Sequence, residues 1–194
     1  MSRFKSRCLF ALLPLALVVG CTTTRRITNT PATALQQLLD TEAIDRAVHK
    51  LTWPDVAGRT VFVQTASPAE EGDRTYLRQA ISAELAQRGA ILSEDYTKMD
   101  YMVTVLAGAI GTDERDVFFG LPQIQSMVVP LSLPEMAIYK SEEQEGFAKV
   151  EVVTTDVRRG AVVFRAGPAQ AKTYAHTRKV LFVGWYRTDT TRDK

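Results

Sequence analysis

Cysteine is nearly absent from this 194-residue chain: Cys8 and Cys21 are the only two. Beyond residue 21 there can be no internal disulfide, no cysteine nucleophile and no thiolate metal site. A single core of this length buries enough apolar surface to do without a covalent staple. Histidine is equally scarce, with His49 and His176 alone. Residues 21–194 contain no Gly-x-Ser-x-Gly elbow, no Gly-x-x-x-x-Gly-Lys phosphate cradle and no Gly-x-Gly-x-x-Gly turn, so common nucleophile and nucleotide signatures are missing. Excess charge is missing too. Of 24 basic and 22 acidic residues, Arg3, Lys5 and Arg7 stand in the first seven positions, which leaves 21 against 22 in the remainder. A near-neutral body offers no electrostatic footprint for nucleic acid or for polybasic membrane binding. No apolar run reaches the roughly 20 residues of a bilayer-crossing helix.

What is present is concentrated at the N-terminus. After the basic head, Leu9 to Gly20 is apolar, and Val18-Val19-Gly20 leads directly into Cys21. A charged head, a short apolar run and a small-residue site form a secretory leader, and the terminal cysteine resembles a bacterial lipoprotein signal. That resemblance implies cleavage before Cys21, palmitate-type acylation of its thiol and a membrane anchor. Thr22 stands where an aspartate would signal inner-membrane retention, which implies the outer membrane, with the domain on its periplasmic face. The alternative is an ordinary cleaved leader with an incidental cysteine. The expected organisation is a signal peptide over 1–20, a lipidated cysteine and polar tether over 21–30, and one domain over 31–194 of a size typical for a single unit. Nine extended tether residues reach at most roughly 30 Å.

Thr30-Pro31 suggests a helix start, and apolar residues at helical spacing from Leu35 to Leu51 predict a helix to His49 or Lys50, with a stripe wide enough to pack on more than one element. Thr60–Gln64 reads as a strand covered on both faces. A second helix is expected over 74–88, stopped by Gly89, then a short strand over 90–93 and a central one within 98–108. Further strands are expected over 135–139 and 146–155, joined by an acidic turn at 141–145, then over 161–165 and 178–184. In 146–155, Ala148, Val150 and Val152 alternate with Lys149 and Glu151, which leaves one face solvated. This order predicts an α+β domain: a mixed β-sheet with flanking helices and a C-terminal antiparallel meander.

The chemistry-bearing residues are few. His49 near a helix end fits a surface or capping place. His176, in Thr173-Tyr-Ala-His-Thr177, has no carboxylate beside it in sequence, although a triad can assemble across a fold. The acidic groups Asp113–Asp116 and Glu142–Glu145 lack calcium-loop spacing and are expected in solvated loops. No metal and no cofactor is expected. The segment from Val117 to Pro134 carries no charge over 18 residues, and Gly120, Pro122, Pro130 and Pro134 interrupt it, predicting a long irregular connection. It is either a lid folded on the core or a contact surface, with Phe118, Phe119 and Leu121 as the candidate contact residues.

The stretch Arg26 to Ala47, with Gly111-Thr-Asp113, Pro134 to Lys140 and Gly184-Trp185, resembles an uncharacterised family of bacterial lipoproteins. More loosely, strand–helix–strand followed by a meander behind a lipid anchor is similar to the curli-export-pore lipoproteins and the lipoprotein activators of penicillin-binding proteins. The alternating membrane hairpins of an export pore are not evident here. The resemblance implies a non-enzymatic envelope protein that contacts other proteins or its own copies. Two alternatives stand beside it: a hydrolase using His176, and a binding module that holds an apolar ligand in the 117–134 segment.

Overall fold

The structure is a computed structural model, and it describes residues 21–24, 33–122, 124–125, 132–133 and 135–190. The expected leader, most of the tether and Pro31 lie outside the described residues. Helices α1 (Ala34–His49) and α2 (Glu71–Gln87) accompany nine strands: β1 (Cys21–Thr24), β2 (Thr60–Ala66), β3 (Ile91–Leu92), β4 (Tyr101–Leu121), β5 (Ile124–Gln125), β6 (Ser132–Leu133), β7 (Met136–Asp156), β8 (Ala161–Val180) and β9 (Val183–Thr188). One mixed sheet runs β3-β2-β4-β7-β8-β9, with β1 added against β4, and β5 and β6 pair separately. The expected α+β class holds at this level, but the molecule is dominated by its sheet more than by flanking helices.

The chain resolves into two compact units. The larger comprises Thr28–Asp113, Gln144–Ala175 and Thr188–Lys194. Helix α1 begins three residues after the predicted proline start, at a reciprocal cap: the Thr33 hydroxyl accepts from the Gln36 N–H, and the Gln36 side chain accepts from the Thr33 N–H at 2.8 Å. This capping box satisfies two donors that a helix start leaves open. Helix α2 carries Glu71 and Asp73 in its first turn, where carboxylates complement the helix dipole. It stops as predicted at Gly89, whose φ of +83° only glycine adopts readily.

Both helices cover the same face of the sheet. Ile44, Leu77, Ile81 and Leu85 are fully buried against Val61, Val103, Val105, Val150 and Val152, and each such side chain contributes roughly 1.5–3 kcal/mol. Strand β2 runs parallel to β3 and β4, with α2 as the crossover. It buries Val61 and Val63 but leaves Phe62 half-exposed, so it is covered on one face, not the expected two, because neither helix among the described residues packs on the other. The predicted alternation of β7 is present: Ala148, Val150 and Val152 face inward, while Glu151 on the solvent side pairs with Arg165 of β8. Helix α1 sits very close to the sheet at Gly146, where Thr173 Oγ1 donates to the Leu39 carbonyl at 2.9 Å.

Strand lengths depart most from expectation. The acidic stretch 141–145 is not a turn. It lies inside the continuous 21-residue β7, and Asp113–Asp116 lies inside β4 rather than in a loop. Ion pairs explain the tolerance: Lys140 lies 2.9 Å from Glu142, and Glu143 of β7 meets Arg178 of β8 at 3.1 Å. The first pair lies within β7, and the second is a cross-strand pair of opposite charges, which stabilises a sheet. The expected single strand over 178–184 is instead a hairpin, β8 turning into β9 at Leu181-Phe182. Cys21–Thr24, the expected start of the tether, pairs antiparallel with Asp116–Phe119, as β-branched threonines favour.

One buried carboxyl sits in the larger unit. Asp40 is 6% exposed and accepts a 2.8 Å bond from Thr112 Oγ1. Burial pushes its pKa up to about 6; the Thr112 bond opposes this, and the carboxylates of Asp73 and Glu70 add to it. The folded protein therefore binds this proton more tightly than the unfolded chain, and stability should fall as pH rises from about 4 through about 6. Asp40→Asn keeps an acceptor for Thr112 and removes the titration. We expect it to stabilise the protein at pH 7 by up to about 3 kcal/mol, with the gain absent near pH 4. Denaturant melts at both pH values check this, and an equal effect at the two would contradict it.

Candidate functional site

His49 ends α1 and is exposed, its Nδ1 3.5 Å from Glu84 of α2. It borders a shallow cavity of about 270 Å³ with Asp45, Val48, Tyr76 and Ala80. There the Tyr76 hydroxyl donates to Asp45 at 2.9 Å, a bond that ties the two helices together. This is a helix-terminal surface position.

His176 belongs to the smaller unit, which comprises Met1–Ile27, Glu114–Glu143 and His176–Arg187. The carboxylate absent from its sequence neighbourhood is supplied across the sheet by Glu143. Arg178, bonded to Glu143, holds that carboxyl below its usual range, and the charge of His176 acts in the same direction. Ser141 Oγ lies 3.4 Å from the same Glu143 Oε1, and Ser141 is only 2% exposed. The cluster thus has a serine, an acid and a histidine, but the acid bonds the serine directly. In a hydrolase triad the histidine stands between the two. Nothing local in the sequence marked Glu143 or Arg178, because their meeting depends on the register of β7 and β8.

The expected contact residues also lie in the smaller unit. Phe118 and Phe119 are half-buried and Leu121 is exposed. They do not belong to an irregular segment, since β4 continues to Leu121 and ends at Pro122. Gly120 permits this: a Cβ there would overlap the Met136 carbonyl and lie 3.0 Å from Ala137 Cα, so the bare backbone lets β7 pack against it. Further on, Ile124 pairs with Leu133 and Gln125 with Ser132. Antiparallel neighbours extend the apolar character sideways, with Met136 and Ile138 of β7, Val180 to Val183 around the turn, and Trp185 and Tyr186 of β9 all exposed. Sequence reading singled out only the β4 part of this band, because a short apolar strand looks the same whether it is covered or bare.

The contrast between the units is sharp. Among the described residues, every buried apolar side chain belongs to the larger unit, and Ser141 is the one buried residue of the smaller. No group of three or more His, Cys, Asp or Glu is placed among the described residues to hold a metal ion. No helix among them is long and apolar enough to cross a membrane. No curated protein matches the chain. The model of a protein family of unknown function, DUF6655, matches residues 16–193, nearly the whole sequence, and the chain belongs to that family.

Proposed function

We propose that this protein is an outer-membrane lipoprotein, anchored through Cys21, that acts without catalysis by contacting an envelope protein or further copies of itself. The observation that carries this reading is that the described residues of the smaller unit include no buried apolar side chain. Its strands hold apolar residues on both faces, and successive residues of a strand point to opposite sides, yet both helices belong to the larger unit. A sheet in that condition is usually covered by something else. Strand β9 ends the sheet with Val183, Trp185 and Tyr186 exposed. Proline, bulges and lysine commonly blunt such edges, and Val183-Gly-Trp-Tyr186 contains no proline and no charge. An open edge of this kind accepts an added strand from a partner.

Because residues 22–194 lack cysteine, a single engineered thiol reports contacts cleanly. Tyr186→Cys in the intact lipoprotein should give a cross-linked adduct in native membranes, either a dimer or a defined heterologous species. Tyr96→Cys, an exposed position of the larger unit, should not. Equal labelling at both positions with no adduct would overturn the contact reading.

The Ser141–Glu143–His176 cluster favours a second reading, a hydrolase using His176. The burial of Ser141 weighs against it, since a substrate carbonyl must reach the nucleophile. A carrier using the 117–134 segment would need an apolar cavity there, and Val117 to Leu121 supply half-buried to exposed strand instead.

A further inference from the structure

The apolar residues of the smaller unit are gathered at one end of its strands. On β4, Val117 to Leu121 follows the charged Asp113–Asp116 run, and on β7, Met136 to Tyr139 precedes Lys140 to Glu145. These two apolar ends are neighbours, since Gly120 abuts Met136. The β8–β9 turn joins them, with the Leu181 N–H donating to the Ile138 carbonyl at 2.9 Å. On the far side of β4, the backbone of Cys21 pairs opposite Phe119. One end of a five-strand array is therefore apolar, its other end is charged, and the residue read as the lipid attachment point lies in the apolar end.

We propose that this end enters the acyl region of the leaflet that holds the Cys21 lipid, with the Leu181-Phe182 turn leading. Four independent features fit lipid as the occupant. Phe182 is 100% exposed at the very tip, with Leu181 and Val183 beside it. Leu181 adopts φ +54°, a left-handed position where two-residue hairpins ordinarily carry Asn or Gly; a leucine held there at a conformational cost points to use. Lys179 and Arg187 are exposed and flank the turn, so they meet anionic headgroups when the tip is immersed. On β9, Trp185 and Tyr186 stand between the apolar tip and Arg187, the interfacial place that amphipathic rings prefer, while Lys179, beside Gly184, lies nearer the tip and reaches the headgroups along its flexible stem.

The depth is limited by length. The four or five uncharged residues at this end of β4, β7 and β9 span roughly 15 Å at about 3.3 Å per residue, about half of a hydrocarbon core of roughly 30 Å. The end reaches into one leaflet and does not cross. This inference takes its leaflet from the anchoring reading, but it is measured separately from it.

Trp53 and Trp185 are the only tryptophans, so Trp53→Phe makes Trp185 the sole reporter. The full chain carrying that change is reconstituted with, and separately added to, vesicles of phosphatidylethanolamine and phosphatidylglycerol containing brominated acyl chains. Trp185 emission should shift to the blue and be quenched more by bromine near the headgroup than by bromine near the methyl end. A further Phe182→Asp change should reduce that quenching about tenfold, because a carboxylate resists entry into hydrocarbon; full exposure at a turn means folding is unaffected, which an unchanged melting temperature verifies. Quenching that persists in a chain that takes up no labelled palmitate would refute the anchor and leave the insertion standing. The inference is overturned if Trp185 stays accessible to aqueous iodide with vesicles present. It is equally overturned if Trp185 is shielded without vesicles at a doubled sedimentation mass, which would make a second copy the cover.

Discussion

Gly146→Ala is expected to be among the most damaging single substitutions in the larger unit, although it adds one methyl group. The Cβ would overlap Thr173 Oγ1 and lie 2.7 Å from the Leu39 carbonyl oxygen and 2.9 Å from its carbon. Two of those three contacts are helix backbone, which cannot rotate away as a flexible side chain can. Relief would require α1 to lift from β7, loosening fully buried Leu39 and Ile44, or Thr173 to give up its bond to Leu39, orphaning a side chain that is 1% exposed. Overpacking costs about 1–3 kcal/mol and a buried unpaired hydroxyl about 1–3 kcal/mol more, so a loss of about 2–5 kcal/mol is expected. For a chain of this size that lowers Tm by roughly 5–15 °C. Gly72→Ala is the matched control: nothing lies within 4 Å of its added Cβ, in the first turn of α2, and it should be neutral or slightly stabilising. A Gly146→Ala melt indistinguishable from wild type would show that α1 is not seated on β7 at this point.

Cys21→Ser should have the largest effect on where the protein is found and almost none on how it folds. Backbone pairing of Cys21 with Phe119 does not require sulfur, so exchanging sulfur for oxygen is expected to change stability by no more than about 0.5 kcal/mol. Each buried methylene of an acyl chain contributes about 0.8 kcal/mol to membrane attachment, and two or more chains hold persistently where one is marginal. Labelled-palmitate incorporation should therefore disappear, and the protein should leave the outer-membrane fraction essentially completely, with Tm unchanged. Wild-type protein that takes up no labelled palmitate would end the lipoprotein reading.

How far the sequence reached depended on whether the information was local. Gly89 as the stop of α2 and the alternation of Ala148, Val150 and Val152 are properties of a few adjacent residues, and both were legible. The Thr33–Gln36 cap was written in the sequence as well, but Thr30-Pro31 drew the eye first. The long strands were not legible. Asp113–Asp116 and Ser141–Glu145 show no apolar alternation, and what keeps them extended is pairing with residues far away, as Glu143 pairs with Arg178. The candidate surface was half legible for the same reason. Charge-free Phe118, Phe119 and Leu121 stood out, while 178–184 read as one more apolar strand. Whether an apolar strand is covered depends on how many helices remain to cover it, and here both are occupied by the larger unit.

The three long strands β4, β7 and β8 run through both units, and this divides the labour of specifying alignment. Sliding a strand by one residue exchanges its two faces. In the larger unit such a slip would turn Val103, Val105, Val150 and Val152 outward and bring Lys149 and Glu151 in, so only one alignment is tolerable there. Around Val117 to Leu121 and Met136 to Tyr139 both faces are apolar, and apart from the close approach of Gly120 to Met136 the local pattern does not distinguish one alignment from the next. The smaller unit must then inherit its alignment along continuous backbone from the larger one, as a zip inherits its phase from the teeth already engaged. Its surface can consequently drift in side-chain identity without risk of mispairing, free to follow whatever it touches, for as long as the helix-covered half keeps the count.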